Sequence, residues 1–545
     1  PHAADRARLG VTDRPLALPA DRLAEEAAVR LQSVDDRRRR GAFFTPPDVA
    51  SALVAEVVQR GTVLDPACGS GVFLLAAARR LLEVGAADRR SIVRRHLFGA
   101  DVDPASVDAT RRVLGAWADV HPDEVSGVVV ADPLHEVADP WPDRPADGFD
   151  AVVGNPPFLG QLLASTSRTG ADRQALRERF GDLVGAYTDA AWLFLALGLE
   201  VLAPGGRMVL IQPQSLLAAR DAGPVRDRLV RSGRLTGLWL DRSGVFAGHA
   251  EVCAPIVESR TSGSQPDVPV RLLVDRSVEA AGHVPPPVPG ETWGGLVAGL
   301  LGIPEAGRIG DRSTGDGRIG DRAGVTAGFR QHFYALVGAV HERSGPEDRR
   351  APLLTTSSVD PLYSRWSSVP CRFDGRRWTA PVVDLTAVGA TDPTVGSWLE
   401  ARRRPKLLVA TQTTVVEVVV DPVGDLVPLT PLVVVEPDPG DLWHLAAALS
   451  APAVTALAAR RSVGAARSAG RIKLSASQVA DLPLPADSTA WDEGADLARA
   501  LHGAGRAATR DAWMEFGAVM GRAYGASEEG LLEWWWARHP ARSRA

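Results

Sequence analysis

The chain has 545 residues, with 61 basic and 66 acidic side chains and a net charge of −5. This length exceeds what one hydrophobic core usually supports, so we expect two or three domains. Three widely spaced cysteines exclude a disulfide framework or a cysteine zinc cluster, and the acidic balance excludes a uniformly basic nucleic-acid binder.

The first signals in chain order are an arginine run and a proline-containing segment. Arg37 to Arg40 form the run, which is typical either of a solvated face or of a phosphate contact. Residues 40–47 read Arg-Gly-Ala-Phe-Phe-Thr-Pro-Pro and precede a helix that we expect to begin at Asp48.

A strand, a glycine-rich turn and a helix follow. Residues 63–71 read Val-Leu-Asp-Pro-Ala-Cys-Gly-Ser-Gly, and an apolar helix is predicted over 72–82. Glycines allow positive φ and close approach of a ligand to the backbone. This order, with an acidic residue at the strand end, is typical of nucleotide sites in doubly wound sheets. It lacks both the Walker lysine motif and a true Gly-x-Gly-x-x-Gly fingerprint.

Polar side chains end the next three predicted strands as well. The strand over 97–100 ends at Asp101, the strand over 127–130 is followed by Asp132, and the strand over 151–153 leads to Asn155. Ligands of parallel α/β sheets bind at the carboxyl ends of the strands. The pattern therefore predicts a ligand crevice at that edge.

Asn155 is the only asparagine in the chain, and it lies in Gly-Asn-Pro-Pro-Phe at 154–158. Proline fixes φ and removes N–H donors, so the loop is stiff. Its amide oxygen and a neighbouring carbonyl, beside an aromatic ring, suit the exocyclic amino group of a flat base. An ordinary turn after a strand is the alternative interpretation, because Asn and Pro are both common in turns.

Together these motifs resemble the gamma-class amino methyltransferases, which methylate N6 of adenine in DNA with S-adenosylmethionine. The resemblance implies a doubly wound α/β, seven-stranded methyltransferase sheet, followed by a mixed α+β target-recognition domain with a helical C-terminus. It covers roughly residues 37–260 well and the remainder more loosely.

The resemblance also implies roles for individual residues. Thr45 and Pro46 would meet the methionine part of the cofactor, and Asp65, Ala67 and Gly69 would line it. Asp101 would hold the ribose, and Asp132 would bond the adenine amino group of the cofactor. The catalytic loop would be Asn155, Pro156, Pro157 and Phe158.

The C-terminal half carries weaker signals. Residues 261–318 contain Pro-Pro-Pro and the first copy of a Gly-Arg-Ile-Gly-Asp-Arg sequence that is repeated at 317–322, and we interpret them as a connector. Residues 451–480 contain five basic residues and no acidic one. Glycines and serines there allow close backbone approach to phosphates, which makes Arg467, Arg471 and Lys473 candidate DNA contacts. The three tryptophans at 534–536 and His332 are interpreted as core residues rather than DNA contacts.

These features predict five segments: an N-terminal helical extension (1–36), the methyltransferase domain (37–260), the connector (261–318), the target-recognition domain (319–490) and a helical C-terminal segment (491–545). We expect no membrane span, since the apolar run near Ala191 to Leu202 contains Gly198 and Glu200 and is better interpreted as a buried helix. A cytoplasmic protein is expected.

The leading functional hypothesis is a site-specific adenine-N6 methyltransferase of double-stranded DNA in a restriction–modification or phage-defence system. Neither lysine follows an acidic residue by two positions, so cleavage would need a separate restriction or defence subunit. Two alternatives remain. The same loop serves methyltransferases of ribosomal RNA adenine and of protein glutamine, and the chain could also be a non-catalytic DNA-binding specificity subunit.

Overall fold

The protein is described here from a computed structural model, in two compact units, Pro1–Leu296 and Val297–Ala545. The structure describes residues 19–30, 45–136, 140–141, 143–158, 170–242, 251–260, 266–274, 277–306, 317–328, 330–465, 470–526 and 529–544. The predicted run Arg37–Arg40 and residues 41–44 lie outside these ranges.

The first unit is built on a ten-stranded, mainly parallel sheet. Its strands are β1 (Val63–Asp65), β2 (Leu97–Asp101), β3 (Val128–Val130), β4 (Phe149–Gly154), β5 (Leu202–Leu210), β6 (Gln212–Pro213), β7 (Gly233–Asp241), β8 (Val252–Ser259), β9 (Val268–Val274) and β10 (Ser277–Val284).

The strand order is β10-β9-β7-β8-β5-β4-β1-β2-β3, with β6 paired to β8. Strands β3, β2, β1, β4 and β5 are parallel neighbours, and β8 lies antiparallel between β5 and β7. The seven strands from β7 to β3 confirm the predicted methyltransferase sheet.

Two strands at one end of the sheet correct the predicted connector. Strand β9 pairs with β7, and β10 pairs with β9. Both fall inside 261–318, so part of the predicted connector extends the sheet. Most residues of β10 are exposed, which is why this strand has no apolar pattern in the sequence.

Helices cover the faces of this sheet, and several begin at recognisable caps. They are α1 (Pro19–Arg30), α2 (Pro47–Val57), α3 (Val72–Glu83), α4 (Arg89–Arg95), α5 (Pro104–Ala118), α6 (Gly170–Phe180), α7 (Ala190–Val201), α8 (Gly223–Ser232) and α9 (Gly294–Val297). At α5 the Asp103 carboxylate accepts a hydrogen bond from Ala105 N (3.0 Å), and Pro104 takes the first helical position. Such caps satisfy backbone N–H groups that have no partner within the helix.

The core of this unit lies between the helices and the sheet. Leu53 and Val54 of α2, Phe73 and Leu74 of α3, and Val153 of β4 belong to one buried cluster. Nearly all of α7 is buried, which confirms the interpretation of that run as a buried helix.

The second unit contains two four-stranded sheets, ordered β11-β23-β19-β21 and β12-β18-β13-β22, with three short two-stranded pairs. Its strands are β11 (Ala323–Ala327), β12 (Val340–Glu342), β13 (Ala351–Leu354), β14 (Val359–Asp360), β15 (Tyr363–Ser364), β16 (Cys371–Phe373), β17 (Arg376–Trp378), β18 (Pro381–Val383), β19 (Lys406–Val409), β20 (Gln412–Thr413), β21 (Val418–Asp421), β22 (Val427–Pro428), β23 (Val433–Pro437) and β24 (Ile472–Lys473).

The helices of the second unit concentrate in its C-terminal part. They are α10 (Arg330–Leu336), α11 (Leu385–Thr391), α12 (Pro393–Ala401), α13 (Leu442–Ser450), α14 (Pro452–Ser462), α15 (Ala476–Ala480), α16 (Ser488–Ala504), α17 (Arg510–Ala523) and α18 (Glu529–Arg538).

The C-terminal helices share one core with the strands. Leu407 and Val433 belong to the same buried cluster as Phe516, Trp535 and Trp536. Residues 491–545 therefore do not form a core of their own. Trp535 and Trp536 are core residues, as predicted, and the half-buried Trp534 packs against the same core. His332 is also buried, with its ring 4.3 Å from that of Trp398.

One ion pair lies inside the second unit. Lys406 Nζ donates to Asp421 Oδ2 at 2.5 Å, and both side chains are almost fully buried. The same carboxylate accepts from Gly424 N and Leu426 N, so its charge is compensated by several donors.

Among the described residues, no single helix is long and apolar enough to cross a membrane, although α13 and α14 pass that test together by length and composition.

Candidate active site

The sheet topology places the predicted polar residues at one edge. Since β1, β2 and β4 run parallel and pair side by side, Asp65, Asp101 and Asn155 lie at neighbouring carboxyl ends. Asp132 follows β3 on the same edge. The four polar residues therefore lie at the edge where ligands of such sheets bind, and the ligand crevice itself stays a prediction.

Asp101 anchors the glycine-rich turn between β1 and α3. Its Oδ2 accepts from Gly69 N at 3.0 Å, and its Oδ1 accepts from Asp103 N at 2.9 Å. Thr110 Oγ1 donates to Gly69 O at 2.9 Å. Gly69 has φ +51°, and a Cβ built on it would meet no atom within 4 Å. Asp101 and Thr110 thus fix the turn through the backbone of Gly69, and the space beside the Gly69 Cα is free of other protein atoms.

Asp65 is a buried carboxylate at the end of β1. It is 1% exposed, and Oδ1 accepts from Ala67 N at 3.0 Å. Burial raises its pKa to about 8, and the nearby charge of Asp101 acts in the same direction. A carboxylate kept in this position favours a cation in the crevice, because an opposite charge would offset the cost of its burial.

Gly154 allows the start of the Asn-Pro-Pro-Phe loop to lie close to the Asp65 side chain. Its φ is +152°, and a Cβ there would lie 2.6 Å from Asp65 Oδ1. Glycine is therefore required for two reasons, the backbone conformation and the close approach. This contact fixes the start of the Asn-Pro-Pro-Phe loop relative to the glycine-rich turn.

Asn155 is oriented by the segment that precedes α2. Its Nδ2 donates to Thr45 Oγ1 at 3.0 Å, a contact between residues 110 positions apart. Thr45 is 2% exposed. The amide nitrogen is thereby directed at Thr45, and the amide oxygen points to the other side. The resemblance assigns Thr45 to the cofactor, and its hydrogen bond to the Asn155 amide is a contact that the sequence did not predict.

The rest of the loop is partly covered. Pro156 is buried, Pro157 and Phe158 are half-buried, and Phe158 packs against the core of the first unit. Its ring is therefore supported on one side, as a stacking platform needs to be.

Asp132 is engaged in its own turn. Its Oδ1 accepts from Leu134 N at 3.1 Å, and its Oδ2 lies 2.8 Å from Nδ1 of His135. Each carboxylate oxygen has a second lone pair, so the role that the resemblance gives to Asp132 stays a prediction.

Two exposed valines at the carboxyl edge of the sheet were not predicted as site residues from the sequence. Val102, directly after Asp101, is 62% exposed, and Val130, at the end of β3, is 54% exposed. These apolar side chains lie beside the carboxylates of Asp101 and Asp132 and offer surface to a flat ring. A valine directly after a strand-end aspartate is the sequence signal that could have identified Val102.

The predicted DNA contacts are only partly described. Arg471 and Lys473 are exposed at β24, which pairs with β20. Arg467 lies outside the described residues.

Comparison with known proteins agrees with this geometry. Residues 27–256 match the sequence model of the N-6 DNA Methylase family. The type II methyltransferase M.TthHB8I of Thermus thermophilus is 29% identical over 231 residues, 42% of this chain and 46% of that protein. The methylase subunit of the type I restriction enzyme MjaIX of Methanocaldococcus jannaschii is 27% identical over 204 residues, 36% of this chain and 33% of that protein. The matches thus span less than half of each of these two relatives.

The whole chain also resembles a solved structure. The type IIL restriction-modification enzyme MmeI, determined in complex with DNA, aligns over 94% of this chain and 73% of that chain, with a TM-score of 0.55 and 12% identity. At this identity the likeness shows a shared fold.

The first unit therefore has the fold of the S-adenosylmethionine-dependent methyltransferases. Within it, residues 27–256 are similar in sequence to the N-6 DNA Methylase family.

Proposed function

We propose that this protein is a site-specific DNA methyltransferase that transfers a methyl group from S-adenosylmethionine to N6 of adenine, as part of a restriction–modification or phage-defence system. The observation that carries the proposal is the catalytic amide. Asn155 donates to the buried Thr45 at 3.0 Å, and Gly154 locks it beside the carboxylate of Asp65.

The crevice fits the cofactor. When bound, S-adenosylmethionine supplies an electrophilic methyl group on a positively charged sulfur. Asp65 offers a negative charge for the cationic methionine end, and Gly69 lets that end approach the backbone. Asp101 would accept from the ribose hydroxyls, and the exposed Val102 and Val130 would offer apolar surface to the cofactor's adenine ring.

The loop fits an adenine amino group. The N6 lone pair is delocalised into the ring, so the free amine is a poor nucleophile. Its two N–H groups would donate to Asn155 Oδ1 and to the Pro156 carbonyl, which favours a pyramidal nitrogen with an available lone pair. The nitrogen so held would accept the methyl group that the bound cofactor supplies, with the displaced electron pair left on the cofactor, and the extra N6 proton would leave to solvent. Positioning and electrostatics supply the acceleration.

The target base has to leave the duplex to reach this loop. Phe158 would stack on the flipped base, a contact worth about 1–3 kcal/mol. Residues 319–490 of the second unit would recognise the DNA sequence, and the names of the relatives from restriction systems support DNA as the substrate.

Long-read sequencing of DNA from cells that express the chain tests this proposal. We expect N6-methyladenine at one defined motif, and radiolabelled transfer to the same motif by purified protein. Methyl transfer to ribosomal RNA or to a protein glutamine would favour the alternative enzymes. A protein that gives no heat of binding with S-adenosylmethionine would instead be a specificity subunit.

A further inference from the structure

The hairpin formed by β16 and β17 concentrates positive charge on a chain that is acidic overall. Its sequence is Cys-Arg-Phe-Asp-Gly-Arg-Arg-Trp at 371–378. Arg372, Arg376 and Arg377 are all exposed. Among the described residues, none of these three forms an ion pair with a carboxylate, whereas many arginines of the same unit do.

The pairing of the strands brings two of these charges together. Arg372 lies directly opposite Arg377 in the antiparallel register. Side chains opposite each other on one face have Cβ atoms about 4.5–5.5 Å apart, and like charges in such a pair destabilise the hairpin. An energetic cost of this kind on an exposed surface points to an anionic partner that offsets it.

The hairpin is held rigidly by its other face. Cys371 and Phe373 are buried, and the Phe373 ring lies 5.0 Å from that of Phe333. Trp378 Nε1 donates to Phe373 O at 3.2 Å. The connection is a tight two-residue turn, Asp374-Gly375, with φ of 48° and 70°. Asp-Gly is a preferred pair for such turns, so the ribbon is preformed. Arg372 and Arg377 project from one of its faces, and the exposed Arg376, which lies opposite Phe373, extends from the other face beside the turn.

We propose that this hairpin, defined by residues 371–378, is a phosphate-contacting ribbon that binds duplex DNA through Arg372, Arg376 and Arg377. The major groove admits a two-stranded β-ribbon, and guanidinium groups bind phosphate in a bidentate manner. This inference rests on the proposed function, because it names the surface with which the methyltransferase holds its substrate.

The test compares two triple variants that remove the same charge. One carries Arg372→Ala, Arg376→Ala and Arg377→Ala. The control carries Arg499→Ala, Arg510→Ala and Arg522→Ala, exposed arginines that are paired to carboxylates. Binding of each full-length protein to a 30-base-pair duplex is measured between about 50 and 200 mM salt, with S-adenosylmethionine binding and circular dichroism as checks of folding.

We expect the slope of log K against log salt to become shallower by about 2.7 in the hairpin variant, since each lost phosphate contact removes about 0.9. Between about 50 and 200 mM salt, the affinity of the wild type for DNA should therefore fall by a factor on the order of 40 more than the affinity of the hairpin variant. The control should keep the wild-type slope, and both variants should bind the cofactor normally.

Two results overturn the inference and are distinguishable. If the wild type binds duplex DNA and the hairpin variant has the same slope, the hairpin assignment is wrong and the proposed function stands. If the wild type neither binds nor methylates DNA, the proposed function fails and the hairpin assignment fails with it.

Discussion

Replacement of Asp65 by Asn should stabilise the ligand-free protein at alkaline pH. The pKa of Asp65 rises from 3.8 to about 8 because the carboxylate is buried. Between these two values the folded state binds more protons than the unfolded state, so the free energy of unfolding falls as pH rises through this window and levels off above it. At 1.36 kcal/mol per pKa unit, the ionised side chain costs on the order of 5 kcal/mol.

The assay is hydrogen exchange of peptides that cover β1 and β4, at pH values from 5 to 9. The amide variant removes the ionisable group, so its advantage over the wild type should grow by about 4 kcal/mol between pH 5 and pH 8 and level off above that. Asp182→Asn, at an exposed carboxylate, serves as the control. Parallel pH profiles for Asp65→Asn and the wild type would refute the buried-charge argument. The same variant should lose affinity for S-adenosylmethionine, since the cation loses its counter-charge.

Three further results are expected. Gly154→Ala should lower the free energy of unfolding, measured by urea unfolding, by ~1–3 kcal/mol, and it should displace Asp65. Gly85→Ala is the control, because Gly85 has φ +69° and no atom near its Cβ position, so that this variant shows the effect of backbone strain without a clash. Lys406→Met should cost about 3–5 kcal/mol in the same assay, because it leaves a buried carboxylate without its cation; an unchanged midpoint would contradict the buried pair. Asp101→Ala should weaken binding of S-adenosylmethionine about tenfold or more in calorimetry. Wild-type affinity of this variant would contradict both the contact with the ribose and the support of the Gly69 turn that we assign to Asp101.

Sequence reasoning located the strand ends well because each buried strand is short, apolar and followed by a polar residue. Residues 63–65, 97–101 and 149–154 all form strands at the expected places. It missed β9 and β10, because β9 is only alternately buried and most of the edge strand β10 is exposed, so neither has a continuous apolar run.

The contacts that orient the site depend on chain folding over long separations. The hydrogen bond from Asn155 to Thr45 joins residues 110 positions apart, and no local pattern encodes it. The close approach of Gly154 to Asp65 likewise depends on the pairing of β4 with β1. The hairpin at 371–378 was overlooked for another reason. Its arginines are not consecutive in a long run, and only the register places Arg372 against Arg377.

The central claim is that the Asn155 amide activates an adenine amino group. Its most direct test is single-turnover methyl transfer from S-adenosylmethionine to DNA carrying the motif found by sequencing, with wild-type protein and Asn155→Ala. We predict that the variant binds cofactor and DNA with wild-type affinity and loses transfer by about 10²–10³-fold, as expected when a preorganised group that acts in the transition state is removed. Transfer by Asn155→Ala at the wild-type rate would contradict the account.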